Sequence, residues 1–67
     1  MNQPMSISAG LHLLTVAEVA QIMRVSKMSV YRLIHSGQLE AVRLGHAFRI
    51  PQQAVDAFLQ RSYVQAG

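Results

Sequence analysis

Residues Thr15–Gly37, TVAEVAQIMRVSKMSVYRLIHSG, constrain the fold more than any other stretch of this chain. Thr15 and Glu18 form a capping box. The Thr15 hydroxyl can accept from the Glu18 N–H, and the Glu18 carboxylate can reach back to the Thr15 N–H. Val16, Val19, Ala20 and Met23 then recur at helical spacing, with Ile22 at the edge of their face. Leu14, just before the cap, is placed to staple onto Val19. Ser26 is an N-cap for a second helix that runs to about His35, so the gap after Met23 leaves room only for a sharp corner. Val30, Leu33 and Ile34 form the inward stripe of that helix. At about 100° per residue, Met28, Arg32 and His35 gather on its opposite side, flanked by Tyr31 and Ser29. Gly37 suits the left-handed position just past its end.

Two capped amphipathic helices around a tight corner, the second polar and basic on its outer side, are the sequence form of a helix-turn-helix. In that motif the second helix enters the DNA major groove. The charge distribution agrees. Residues 24–49 hold Arg24, Lys27, Arg32, Arg43 and Arg49 against a single acid, Glu40, whereas Arg61 outside them faces Glu18 and Asp56. A basic centre with a near-neutral periphery suits a polyanionic partner.

The remainder reads as support for the second helix. Leu39–Leu44 and Phe48–Ile50, separated by Gly45-His46-Ala47, predict a β-hairpin. A two-residue loop at Gly45-His46 would pair Val42 with Arg49. A three-residue loop pairs Leu44 with Phe48, Arg43 with Arg49 and Val42 with Ile50. The second register sorts apolar from basic residues by face and is the expected one. It also sets two arginines opposite each other, an arrangement that calls for an anion between them. Pro51 ends the strand, and Gln52 to about Arg61 forms a third helix with Val55, Phe58 and Leu59 on one face. The expected order is α-α-β-β-α, mainly helical with a small β-hairpin wing. One domain is expected over residues 13–61, with a disordered leader at 1–12 and a flexible tail at 62–67. Val19, Met23, Val30, Leu33, Ile34, Val42, Ile50, Val55, Phe58 and Leu59 are the expected core.

Taken together, LTVAEVAQIMRVSKMSVYRLI, SGQLEAVRLG and FRIPQQAVDAFL resemble the excisionase family of small DNA-binding proteins, whose domain is a MerR-like winged helix-turn-helix. Within that family the chain is most similar to the short actinobacterial regulators of BldC type. The resemblance spans roughly residues 13–60. It implies a second helix in the major groove, a wing on the backbone or the adjacent minor groove, and a role in transcription regulation or in excisive recombination. It also implies side-by-side binding of further copies on repeated DNA sites. No coiled coil is expected, and with none, no small-molecule effector.

The candidate DNA-binding residues are Ser26, Lys27, Met28, Ser29, Tyr31, Arg32, Arg43, His46 and Arg49. Ser26 and Lys27 lie at a helix N-terminus, where free N–H groups and the dipole favour a phosphate. Arg32 is long and outward, suited to a guanine edge or a phosphate. Met28 and Ser29 are short enough for base edges, Met28 against a thymine methyl. Tyr31 offers a hydroxyl to a phosphate, or else serves as an aromatic lid on the core. Arg43, Arg49 and His46 belong to the wing. Arg24 at the corner could touch the DNA backbone or equally stand as a solvated charge, and Arg61 reads as a solvated charge.

Other chemistries find little support. The histidines His12, His35 and His46 lack the close spacing of metal ligands, and there is no cysteine. The three acids form no pair for acid–base work, and Ser26 lacks the glycines of a nucleophile elbow. No enzyme activity, metal or cofactor is expected. No apolar run approaches the roughly 20 residues of a membrane span, and the N-terminus does not read as a signal peptide. A cytoplasmic protein associated with the nucleoid when bound to DNA is expected. The competing readings are a mobile-element excisionase and an adaptor for an acidic protein partner.

Overall fold

The computed structural model describes residues 12–66. The elements are β1 (Leu13–Thr15), α1 (Val16–Met23), α2 (Lys27–His35), β2 (Val42–Leu44), β3 (Ala47–Pro51) and α3 (Gln52–Ala66). All but His12 of the expected leader, and Gly67 of the tail, lie outside the described residues.

The capping box forms as the spacing predicts. The Thr15 N–H donates to Glu18 Oε1 at 2.8 Å, and the Glu18 N–H donates to Thr15 Oγ1 at 3.0 Å. These bonds hold the Glu18 carboxyl below its ordinary range. The Thr15 N–H is the main cause, then the Thr15 hydroxyl; desolvation opposes them, and the charges of His12 and Arg49 add still smaller help. A lowered folded-state value means that the cap stabilises above the unfolded carboxyl range and is lost as pH falls through the folded value. Glu18→Gln, which keeps a capping side chain but not the charge, is therefore expected to lower the melting temperature at pH 7 and to flatten its decline below about pH 4.5. Thermal melts from pH 7 to pH 3 check this.

The corner between α1 and α2 is closed by Arg24 in the left-handed region, φ 60° and ψ 47°. Its N–H bonds Gln21 O at 3.2 Å and the Val25 N–H bonds Ala20 O at 2.9 Å, the double bond pattern of a Schellman ending. The same pattern ends α2, where Gly37 at φ 83° bonds Ile34 O and the Gln38 N–H bonds Leu33 O. A side chain in this backbone region costs about 1–2 kcal/mol, so Arg24 is strained where Gly37 is not. Arg24→Gly is expected to raise the melting temperature by about 2–6 °C, after allowing for the extra freedom of glycine in the unfolded chain.

The sheet departs from expectation in two ways. It has three strands in the order β1-β3-β2, so the observed order is β-α-α-β-β-α. Leu13-Leu14-Thr15 is too short to show an alternation, and only pairing with β3 (Leu14 opposite Ile50, Thr15 opposite Arg49) makes it a strand. The hairpin register is the other one: Val42 pairs with Arg49, Arg43 with Phe48 and Leu44 with Ala47. The loop is the two residues Gly45-His46, with Gly45 at φ 64° and no positive φ at His46. Glycine first in a two-residue loop is the mark of a type II′ turn, whose twist matches the strands. Arg43 and Arg49 therefore do not face each other, and no like-charge pair has to be offset.

Paired residues share a face of the sheet. Leu14, Ile50, Phe48 and Arg43 lie on the face towards the helices. Thr15, Val42, Leu44 and Arg49 lie on the outer face. Val42, expected in the core, is accordingly exposed. The buried core is Leu14, Val16, Val19, Ala20, Val30, Leu39, Ile50 and Val55, with Met23, Leu33, Ile34, Phe58 and Leu59 packed against it. Leu39, expected in a strand, instead folds under α2, and its N–H bonds Leu33 O at 3.1 Å.

At the C-terminal end α3 continues past the expected stop at Arg61 to Ala66, across residues expected as a tail. Ser62 to Ala66 contain neither glycine nor proline, so nothing in them breaks the helix before Gly67. Arg61 is also tied down. Its guanidinium donates to Gln38 O at 3.2 Å and lies 5.9 Å from the centre of the Phe58 ring, joining α3 to the turn after α2.

Candidate functional site

The site is built on α2, whose inward stripe sets which residues look out. Val30 is fully buried, and Leu33 and Ile34 pack on the core. Lys27, Met28, Tyr31, Arg32 and His35 are all exposed, Met28 at 61 %. This is a ridge of two fixed cations, a thioether, a phenol and an imidazole along about two and a half turns. Among the described residues no hydrogen bond engages the side chains of Lys27 or Arg32, so both are free to reach a ligand.

The N-terminus of α2 is already partly used. Ser26 Oγ accepts from the Ser29 N–H at 3.1 Å and lies 3.1 Å from Ser29 Oγ. Of the nine expected contact residues, these two hydroxyls are engaged with each other. Ser29 is half-buried on the flank away from Tyr31.

The hairpin joins the ridge through Phe48. Tyr31 stands edge-on to its ring with centroids 6.1 Å apart, and His35 does the same at 6.0 Å. The Arg43 guanidinium lies 5.6 Å from the ring centre. The cross-strand partner of Arg43 is thus also the ring that its guanidinium lies over, and Arg43 as a whole stays exposed. His46 is exposed at the hairpin tip.

Arg49 goes elsewhere. It projects from the outer face, half-buried, opposite Thr15 and near the Glu18 carboxylate, and its Nη1 donates to Phe48 O at 3.0 Å. Lys27 and Arg32 stand on the exposed side of α2, and Arg43 reaches the Phe48 ring that Tyr31 and His35 also meet, while Arg49 lies on the other face of the sheet.

Phe48 and His35 were not among the expected site residues. The signal for Phe48 was the Gly45-His46 dipeptide, and that for His35 was its place on the outward side of α2. Read as a type II′ loop, the dipeptide places Phe48 on the helix side opposite Arg43, where α2 must meet it. Sorting the hairpin by polarity hid this, because a guanidinium over an aromatic ring puts a charged residue on the same face as an apolar one.

Comparison with known proteins bears on the whole described fold. A family model described as a helix-turn-helix domain matches residues 13–63. A Mycobacterium tuberculosis (strain H37Rv) protein named "Putative DNA-binding protein" is 59 % identical over 59 residues, covering 88 % of this chain and 76 % of that protein. A Saccharopolyspora erythraea protein named "Probable excisionase" is 40 % identical over 53 residues, 79 % of this chain and 54 % of that one. A Streptomyces ambofaciens excisionase is 40 % identical over 48 residues, 72 % of this chain and 77 % of that one. No solved structure gives a significant match.

Proposed function

The chain belongs to the helix-turn-helix domain family, and from that premise we propose that it binds double-stranded DNA in a sequence-specific manner as a small transcriptional regulator. The observation that carries the reading is the exposed ridge Lys27, Met28, Tyr31, Arg32 and His35 on a helix whose other side is core, with Arg43 of the hairpin beside it. A helix about 10–12 Å across with its side chains fits the major groove, which is about 12 Å wide. In this reading α2 enters that groove. Arg32 meets a guanine edge or a phosphate, Met28 meets a thymine methyl, and Lys27 and the N-terminal N–H groups of α2 meet a phosphate. The hairpin acts as a MerR-like wing along the backbone or the neighbouring minor groove, with Arg43 on phosphate and His46 at the tip. Nothing in this mode of binding calls for a metal, a cofactor or an effector. No described helix is long and apolar enough to cross a membrane.

Excisionase function uses the same surface, and two relatives carry that name. An excisionase raises the yield of excision by a purified integrase in vitro, whereas a regulator shifts transcript levels at bound promoters without one.

Three phosphate contacts predict that log affinity falls against log salt with a slope of about −2.7. Fluorescence anisotropy on a labelled duplex, titrated from about 50 to 200 mM salt, checks this; a flat salt response would sink the reading. A single module buries only about 600–1,000 Å² on DNA, so adjacent copies on repeated sites are expected to provide useful affinity. Footprints that lengthen in steps with protein concentration test that expectation.

A further inference from the structure

We propose that His35 and Arg43, arranged around the Phe48 ring, form a proton-linked site for one DNA backbone phosphate, with the Tyr31 hydroxyl as a third donor. The proposal rests on the DNA-binding reading above and adds a pH dependence that the reading does not require.

The geometry comes from one half-buried ring. Tyr31 and His35 are four residues apart on α2 and so share a helix face. Both present edges to Phe48, at 6.1 and 6.0 Å, the His35 ring nearly perpendicular at 88°. Arg43 reaches the same ring from β2 at 5.6 Å. A phenol, an imidazole and a guanidinium from two elements thus surround one aromatic platform, and all three are exposed. The other charge close to this cluster on α2 is Arg32, three residues before His35. On the side of α3, Arg61 is engaged with Gln38 O and the Phe58 ring. The acids are placed elsewhere in the chain, Glu18 in the cap of α1, Glu40 ahead of β2 and Asp56 in α3. The Arg43 guanidinium is the fixed charge on this ring, and a phosphate is the group that an arginine, an imidazole and a phenol can all donate to.

Histidine is the side chain that changes charge between pH 5 and 8. A protonated imidazole donates from both ring nitrogens and attracts a phosphate more strongly than the neutral ring does, so a phosphate at this site favours protonation. By linkage the duplex binds more tightly as pH falls. Phe48 acts as a positioning residue: it touches no phosphate but sets the distance between the imidazole of α2 and the guanidinium of the hairpin.

The test is anisotropy on a labelled duplex of about 20 base pairs at about 100 mM salt, from pH 8 to pH 6. The wild-type chain is expected to bind about fivefold more tightly at pH 6, with a salt slope steeper by about 0.9. His35→Gln is expected to lose the pH response, while His46→Gln keeps it. Phe48→Leu, which retains an apolar side chain, is expected to weaken the pH response, and Phe48→Tyr to restore it. Binding that does not change with pH, or a response that survives in His35→Gln, overturns the proposal and leaves DNA binding standing. Absence of duplex binding at either pH overturns both.

Discussion

Replacing Leu39 with alanine is expected to lower the melting temperature by about 10–30 °C. Leu39 is only 2 % exposed and is among the largest fully buried side chains of the molecule. Truncating a leucine at such a site costs about 2–5 kcal/mol, because the lost burial is joined by the cavity left behind. A domain of this size has roughly 3–10 kcal/mol of stability in total. Each kcal/mol moves the midpoint of a domain this small by about 4–8 °C. The turn that carries Leu39 follows the Schellman end of α2, so the cavity also loosens the support of the candidate binding helix. Circular dichroism melts of the two proteins measure the effect. A shift of less than about 5 °C would mean that Leu39 is not part of the core.

The second large effect is on duplex affinity. Arg32→Ala with Arg43→Ala is expected to weaken binding at about 100 mM salt by at least about 100-fold and to flatten the salt slope by about 1.8. Arg32→Ala with Arg49→Ala carries the same change of charge but spares the helix-side hairpin cation. It is expected to cost only about tenfold and to flatten the slope by about 0.9. The contrast follows from the register, which sets Arg43 over Phe48 and Arg49 on the outer face by Thr15. Both doubles keep the core intact, and melts confirm that they remain folded. Equal losses in the two would place Arg49 on the DNA as well. No loss in either would remove the duplex from the function.

The helices were legible in the sequence because each carries its own boundary chemistry. Thr15 with Glu18, Ser26, and Gly37 act within a few residues of themselves, and all three appear as their spacing implies. The outward set Met28, Tyr31, Arg32 and His35 followed from the inward one, since a helix with Val30, Leu33 and Ile34 in the core has only one side left. The hairpin was legible as a hairpin but not in its register. Both registers satisfy local chemistry, and a slip of one residue exchanges the two faces. Polarity favoured pairing Arg43 with Arg49; the Gly45 backbone and the Phe48 platform favour the register observed.

From the sequence alone came the capped helix pair, the corner, the glycine stop, the central basic stretch and the residues that α2 presents outward. These depend on interactions between residues no more than about four apart, which the order of the chain already specifies. Tertiary structure decided the third strand, the burial of Leu39, the sides taken by Arg43 and Arg49, and the meeting of His35 with Phe48. Each of those joins segments distant in the chain, so its free energy exists only once the core around Val30 and Ile50 has closed.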